Sequence, residues 1–292
     1  LDDYPVSGVD IKLDWNGVTD KLPEGVRVIF YPKSAEGRKI DTYLSVRGGK
    51  VKVPPGRYSV VAYNYDTETV QIRGEEAYET IEAFTGYCNG LGIAGTEKMV
   101  WGPDPLYVVQ INDLHIANSE EELLLDWKPK LVVKTYSFKI KVEGLEYVSS
   151  IVGSVEGMAG CYCLGRCCGM MNDAPIYFEA QGCSGEVTGS FTAFGLPEGA
   201  MSRASLAIKF TLAFVKVDNT VQKIEVDITD VIVNSESGEG GGNDEPSKDI
   251  ELPLDDDEVK VDKPENSSGG DGGIGGDVGD WGEEEEVPLP VI

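Results

Sequence analysis

The stretch Phe138-Lys139-Ile140-Lys141-Val142 (FKIKV) decides the fold class of this chain. Apolar and charged residues alternate in it one by one, which is the pattern of a β-strand with one buried and one exposed face. Similar alternation recurs along the chain at 9–15, 26–30, 51–53, 58–62, 106–111, 176–180, 187–194, 206–217 and 221–233. Since glycine and proline punctuate these strands and no long helical pattern separates them, we predict an all-β protein made of antiparallel β-sandwiches.

The length and punctuation of the chain indicate two domains. It has 292 residues, of which 41% are hydrophobic, and this length suits two cores better than one. Pro129 disfavours continuation of a regular element through it. We therefore predict tandem sandwiches at residues 1–129 and 130–292. Glycine- and acid-rich stretches at 234–249 and 263–280 are predicted to be long loops of the second sandwich, because they bury too little apolar surface to offset their ordering entropy.

The charge of the chain excludes one class of partner. Asp and Glu number 51 against 25 Lys and Arg, which gives a formal net charge of −26. Such a surface repels the phosphate backbone, so we expect no nucleic-acid binding. No apolar run is long enough for a membrane-spanning helix.

The end of the sequence, EVPLPVI at 286–292, combines strand-like alternation with two prolines. Val287, Leu289 and Val291 are separated by Pro288 and Pro290. Because proline has no N–H to donate to a neighbouring strand, we predict an edge strand or an extended arm. A segment of this kind can add itself to the edge of another sheet.

Cysteines cluster in AGCYCLGRCCGMM at 159–171. A hairpin with a two-residue turn at Gly165-Arg166 would place Cys163 opposite Cys168, close enough for a disulfide. The alternatives are inert thiols, or a zinc or iron–sulfur site to which Cys183 could contribute. The metal alternative is the weaker, because no Cys-x2-Cys pair repeats and the one histidine, His115, is distant in sequence.

Motifs for catalysis are missing. GLGIAG at 90–95 matches the dinucleotide-binding glycine pattern, but no buried strand precedes it, and Gly102-Pro103 leaves no room for the helix that should follow. No nucleophile signal accompanies His115, and neither Gly-x-Ser-x-Gly nor His-Glu-x-x-His occurs. We therefore expect no enzymatic activity.

Calcium is the one cofactor that the sequence leaves open. Acidic residues lie near glycines that let backbone carbonyls face a cation, at Asp255, Asp256, Asp257, Glu258, Asp271, Asp277 and Asp280. The alternative is a set of solvated acidic loops. Our expectation is no cofactor, with calcium as the alternative.

Five segments resemble, in the same order, the fimbrial anchor and accessory lipoproteins of the Bacteroidales. They are VPPGRYSVVAYN (53–64), GSVEGMAG (153–160), GSFTAFGL (189–196), KIEVDITDVI (223–232) and GGDVGDWGEEEEVPLPVI (275–292). The resemblance implies two tandem transthyretin-like β-sandwich domains. It also implies export to the cell surface, and attachment to the outer membrane through a lipid on a cysteine upstream of Leu1.

The function expected from this resemblance is structural. We expect an anchor, tip or accessory subunit of a fimbria that serves cell adhesion and fimbrial assembly by pairing strands with other fimbrial subunits. A host or bacterial surface ligand is a further expected partner. The alternative is a surface glycan-binding module in which Trp101, Tyr107, Trp127 or Trp281 would stack on sugars.

Overall fold

The computed structural model describes residues 7–88, 98–171, 174–200, 206–237, 247–254 and 259–264. Strands before residue 132 are Ser7–Leu13 (β1), Gly25–Pro32 (β2), Ile40–Ser45 (β3), Gly48–Val53 (β4), Gly56–Asn64 (β5), Val70–Arg73 (β6), Glu82–Thr85 (β7), Tyr87–Cys88 (β8), Met99–Trp101 (β9), Tyr107–Ile116 (β10), Leu123–Trp127 (β11) and Lys130–Leu131 (β12). Later strands are Lys134–Glu143 (β13), Val148–Glu156 (β14), Ala159–Cys163 (β15), Cys168–Met171 (β16), Ile176–Cys183 (β17), Glu186–Ala193 (β18), Lys209–Lys216 (β19), Val221–Asp227 (β20), Ser247–Asp249 (β21) and Val259–Lys260 (β22). A 3-10 turn at Leu145–Tyr147 and the helix Thr229–Ser237 (α1) complete the described elements.

The first sheet curls around its own core. Its strand order is β11-β1-β4-β3-β2-β5-β10-β12, and its two edge strands follow each other in the chain. Alternate residues of each strand face the core, as Val9 and Ile11 of β1 and Val28 and Phe30 of β2 show. The predicted alternation therefore corresponds to real burial in this half.

The second sheet has the order β20-β19-β14-β17-β18-β13-β21, with β22 also beside β13. Aromatic rings fill its core, and the rings of Phe138 and Phe210 meet edge to face with centroids 5.0 Å apart. Helix α1 closes this core with Ile232, which is fully buried. The side chain of Gln222 on β20 bonds to Lys260 O and Asp262 N at 2.7 and 2.9 Å, so it bridges the outer strand β20 to the segment that contains β22.

A third sheet, which we call the junction sheet, consists of β6, β7, β15 and β16. Strands β6 and β7 precede the predicted domain boundary, whereas β15 and β16 follow it. The junction sheet packs on the first sheet, and Tyr162 and Leu164 of the second half share one core with Ile29 and Val61 of the first half. Strand β9 likewise pairs with β17. The two halves are thus joined by paired strands on both sides of residue 129.

The all-β prediction is confirmed, with one local correction. Residues 221–233 were expected to form a single strand, but β20 ends at Asp227 and α1 begins at Thr229. The Asp227 carboxylate accepts hydrogen bonds from the N–H and the hydroxyl of Thr229, which turns the chain. Ile228 and Ile232 then both lie buried, because residues four apart share a helix face. The end of the predicted loop at 234–249 also pairs in parallel with β13, as β21, and β22, which lies between the two predicted loops, pairs with β13 in the same way.

Within the described ranges, no helix is long and apolar enough to cross a membrane.

Candidate interaction surfaces

The cysteine hairpin places Cys163 of β15 directly opposite Cys168 of β16. The connection is a four-residue turn, Leu164–Cys167, and not the expected two-residue turn at Gly165-Arg166. Leu164 is held in the turn because its side chain is fully buried in the core beneath the junction sheet and its N–H donates to Ile81 O at 3.0 Å. The turn closes with Cys167 at a positive φ of 52°.

None of the six cysteines is joined to another by a disulfide in the structure. The Cys163 thiol donates to Glu79 O at 3.7 Å, and the Cys168 thiol donates to a Glu198 carboxylate oxygen at 3.6 Å. Burial, reinforced by the charge of Glu198, raises the pKa of Cys168 to about 11. This thiol is therefore protonated at neutral pH and is a weak nucleophile. A disulfide between Cys163 and Cys168 remains a prediction.

Metal ligation by the cysteines receives no support from their placement. No group of three or more His, Cys, Asp or Glu residues in the described part of the chain is arranged to hold a metal ion. Cys183 is the last residue of β17 and pairs with Glu186 of β18, on a different sheet from the hairpin.

The hairpin has a clear structural position: it joins the two halves of the chain. Cys161, Tyr162 and Cys163 pair in register with Phe84, Ala83 and Glu82 of β7. On the outer face, Arg73 forms an ion pair with Glu82, and its guanidinium lies 4.4 Å from the centroid of the Phe84 ring. The cysteine hairpin, which looked like a reactive cluster in the sequence, therefore joins the two halves of the chain by strand pairing.

Open backbone edges are the other candidate surface. Strand β11 is the outermost strand of the first sheet, and in the described residues it pairs only with β1, in parallel. Leu123 and Leu125 pack on the core, whereas Leu124 is 64% exposed. An unpaired strand edge presents N–H and C=O groups to which another chain can pair.

Several sequence predictions lie outside the described residues. These are the terminal strand with Val287, Leu289 and Val291, the glycine pattern at 90–95, Trp281, and the acidic residues Asp255 to Glu258, Asp271, Asp277 and Asp280.

The aromatic residues that we considered as sugar platforms have different surroundings. Tyr107 and Trp127 are each only 5% exposed, so the prediction that they stack on a glycan is wrong: their rings belong to the protein interior. Trp101 is 39% exposed and meets Tyr177 edge to face at 5.5 Å. Three tyrosines that sequence reasoning missed are more exposed than Trp101: Tyr43, Tyr65 and Tyr87. The exposure of Tyr43 could have been predicted from the sequence, because exposed residues alternate along β3 and Tyr43 directly precedes the buried Leu44.

Comparison with known proteins adds the family. Residues 1–179 match the model of a family described as a domain of unknown function, DUF5119. The chain belongs to this family. It is also 57% identical, over its whole length and 92% of the relative, to a Bacteroides ovatus protein named as a candidate fimbrium anchoring subunit, Fim4B.

Solved structures agree with this assignment. A crystal structure of a candidate adhesin from Bacteroides ovatus has 56% identity and a TM-score of 0.77, covering 90% of this chain and 95% of that one. The fimbrial anchor protein Mfa2 of Porphyromonas gingivalis has 10% identity and a TM-score of 0.51, covering 84% and 88% of the two chains, and so shares the fold. The resemblance to the Bacteroidales fimbrial anchor proteins is confirmed.

Proposed function

We propose that this protein is a cell-surface anchoring subunit of a fimbria, which joins other fimbrial subunits by strand pairing. The observation that carries the proposal is the 57% identity to the Bacteroides ovatus fimbrium anchoring candidate over the whole of this chain. At this level of identity, the chain shares surface residues as well as core residues with its relative. It therefore goes further than the shared fold alone, which would not by itself indicate a function.

The fold supports a structural role. The open edge of β11 offers backbone N–H and C=O groups to an added strand. Burial alternates along β11, so the side chains of an added strand would also alternate between the core face and the solvent face. A cleft of about 740 Å³ at one end of the second sheet is lined by both Lys and acidic residues, including Lys141, Glu143, Glu186 and Lys260. Because its lining mixes positive and negative side chains, this cleft favours neither an anionic nor a cationic ligand.

We further propose that the chain is exported and held at the outer membrane by a lipid on a cysteine upstream of Leu1. A net charge of −26 suits an exposed, soluble body that is kept apart from other anionic surfaces. The anchoring role itself needs one end of the molecule on the membrane and another surface paired with a fimbrial subunit.

Complementation tests the anchoring role. A Bacteroides ovatus strain without its Fim4B relative would receive this chain behind that relative's own leader. We expect fimbriae to stay on the cells, as seen by immunogold labelling, with little shed into the medium. Fimbriae that remain in the medium at the level of the deletion strain, despite surface expression of the chain, would reject the proposal.

Two variants then locate the paired edge. Leu124→Lys places a charge on the edge strand β11 and should reduce fimbrial retention, because edge lysines oppose strand addition. Val217→Lys is the matched control, since Val217 is 62% exposed outside the strands. Truncation before Glu286 tests the predicted terminal strand, and unchanged assembly of the truncated protein would exclude a pairing role for Val287, Leu289 and Val291.

A further inference from the structure

Two exposed tyrosines form a right-angled corner on the outer face of the first sheet. Tyr43 of β3 is 60% exposed, and Tyr65, just after β5, is 43% exposed. Their ring centroids are 5.3 Å apart and their planes meet at 76°. We call this pair the aromatic corner. The Tyr65 ring forms the floor of this corner and the Tyr43 ring forms its wall, so a ligand that approaches from solvent can contact both rings.

The floor of the aromatic corner is set by a glycine. Gly25 of β2 lies between the two tyrosines, and a Cβ atom at this position would stand 2.8 Å from the Tyr65 hydroxyl and 3.0 Å from Tyr65 Cε1. The absence of a side chain therefore lets the Tyr65 ring rest on the backbone of β2. A ring that is supported on one face by backbone keeps the other face for a ligand.

The wall of the corner is supported from behind by Arg27. Its guanidinium lies 5.7 Å from the centroid of the Tyr43 ring. Arg27 donates to both carboxylate oxygens of Asp41, at 3.0 and 2.7 Å, to the Tyr63 hydroxyl at 2.9 Å and to Glu75. These bonds hold the guanidinium in place beside the Tyr43 ring.

We propose that the aromatic corner binds a neutral hexopyranose unit of a polysaccharide. The apolar face of a pyranose ring stacks on an aromatic ring, and its edge hydroxyls seek carboxylate and hydroxyl partners. The Tyr65 ring provides the stacking face and the Tyr43 ring encloses one side. Asp41 and Ser45, both exposed on β3, provide oxygen acceptors for sugar hydroxyls.

Charge selects a neutral sugar over an acidic one. Arg27 is already paired with two carboxylates, Asp41 and Glu75. The whole chain carries a net charge of −26, which repels sialylated, sulfated and uronic-acid glycans.

A protein partner fits this patch less well than a sugar does. A stable protein interface buries about 800 Å² on each side and has an apolar centre. The apolar part of this patch is limited to two rings, and its neighbours Glu24, Asp41, Arg47 and Asp66 are charged. The patch therefore has the size and composition of a monosaccharide subsite.

Calorimetric titration of the whole protein tests the proposal. The neutral probes are cellohexaose, maltoheptaose and a galactomannan oligosaccharide, and the acidic probe is an oligogalacturonide of similar length. We expect at least one neutral probe to bind and the acidic probe to bind at least tenfold more weakly. Tyr43→Ala and Tyr65→Ala should each weaken the neutral probe at least tenfold, whereas Tyr43→Phe should retain most of the affinity.

Tyr87→Ala is the matched control, because Tyr87 is also exposed, at 66%, but lies on β8 beside the second sheet. Binding that survives both corner substitutions, or that is lost equally in the control, would overturn the proposal. Failure of every neutral probe would overturn it too. A loss of self-association or of fimbrial-subunit binding in the corner variants, without sugar binding by the native chain, would identify a protein interface instead. Anchoring in the complementation assay is a separate readout, so either proposal can fail alone.

Discussion

Tyr162 of β15 pairs with Ala83 of β7, and this pairing lies where the second half of the chain enters a sheet begun by the first half. The Tyr162 ring is 8% exposed and packs in the core between the junction sheet and the first sheet. Burial raises the pKa of the Tyr162 hydroxyl, and the nearby Cys167 thiol adds to this shift. The connection between the halves therefore combines backbone pairing with a buried aromatic side chain.

Tyr162→Ala should destabilise the whole protein. Removal of a buried aromatic ring leaves a cavity and costs about 3–5 kcal/mol. Urea unfolding followed by tryptophan fluorescence would measure the free energy of unfolding. Tyr87→Ala is the control and should change this free energy by no more than about 0.5 kcal/mol, because that ring is largely exposed. Equal effects of the two substitutions would contradict a core role for Tyr162.

A disulfide between Cys163 and Cys168 is expected in protein from an oxidising compartment. The two thiols would lose two hydrogen atoms to a disulfide-type oxidant, which would itself be reduced to a dithiol. Peptide mapping without reduction should show the linked pair. Closing so short a loop contributes about 2 kcal/mol, which a reductant should remove. Complete alkylation of both thiols in unreduced protein would disprove the bond, and Cys183→Ser should leave the mapping unchanged.

Alkaline pH should weaken the fold through its buried tyrosines. Burial, and then the charge of Glu236, raises the pKa of Tyr136 well above its usual value. Because the folded state holds this proton more tightly, the contribution is complete below about pH 10 and is lost as the pH rises through the folded pKa. Urea midpoints should therefore fall above pH 10. Tyr136→Phe should flatten this fall, and an identical slope in that variant would show that the tyrosine does not cause it.

Gln222→Ala should loosen the edge of the second sheet. Its amide accepts from Asp262 N and donates to Lys260 O, and losing two such bonds costs about 1–2 kcal/mol locally. Hydrogen exchange at the Asp262 amide should accelerate, whereas amides of the first sheet, such as Val60, should keep their rates. Unchanged exchange at Asp262 would show that the bridge does not protect it.

Calcium binding remains a prediction from the acidic residues between 255 and 280. If it occurs, calcium should raise the melting temperature of the full chain, and magnesium at equal concentration should not, because magnesium demands a stricter geometry. Substitution of Asp255, Asp256 and Asp257 by Asn tests one of the acidic groups. Equal shifts with both cations would indicate only screening of the negative charge.

Local alternation of apolar and polar residues predicted most of the strands, but it could not predict which strands distant in sequence pair with each other. The strand around Phe138 was predictable because burial alternates with side-chain direction, a local property. In the strand around Val60 the residues from Tyr58 to Asn64 are all buried, since both of its faces are covered. The pairing of Cys161 with Phe84 was not, since nothing in either segment identifies its partner. Helix α1 was missed because Ile228 and Ile232 fall within a stretch that also alternates as a strand does.

For the candidate sites, too, the sequence predicted local features but not which parts of the fold surround them. Tyr107 and Tyr43 are both aromatic residues in strands, yet Tyr107 is buried, with its ring 5.3 Å from that of Trp15, whereas Tyr43 is exposed. The cysteine spacing predicted that Cys163 faces Cys168 but not that the hairpin completes a sheet begun by β6 and β7.

The junction sheet, to which both halves contribute strands, also limits which segments can be exchanged with a relative. A chimera that exchanged residues 1–129 with those of a relative would inherit β7 from one parent and β15 from the other. Such a hybrid would fold only if the two parents matched at Ala83 and Tyr162, so the exchangeable unit of this protein is the whole body and not either half.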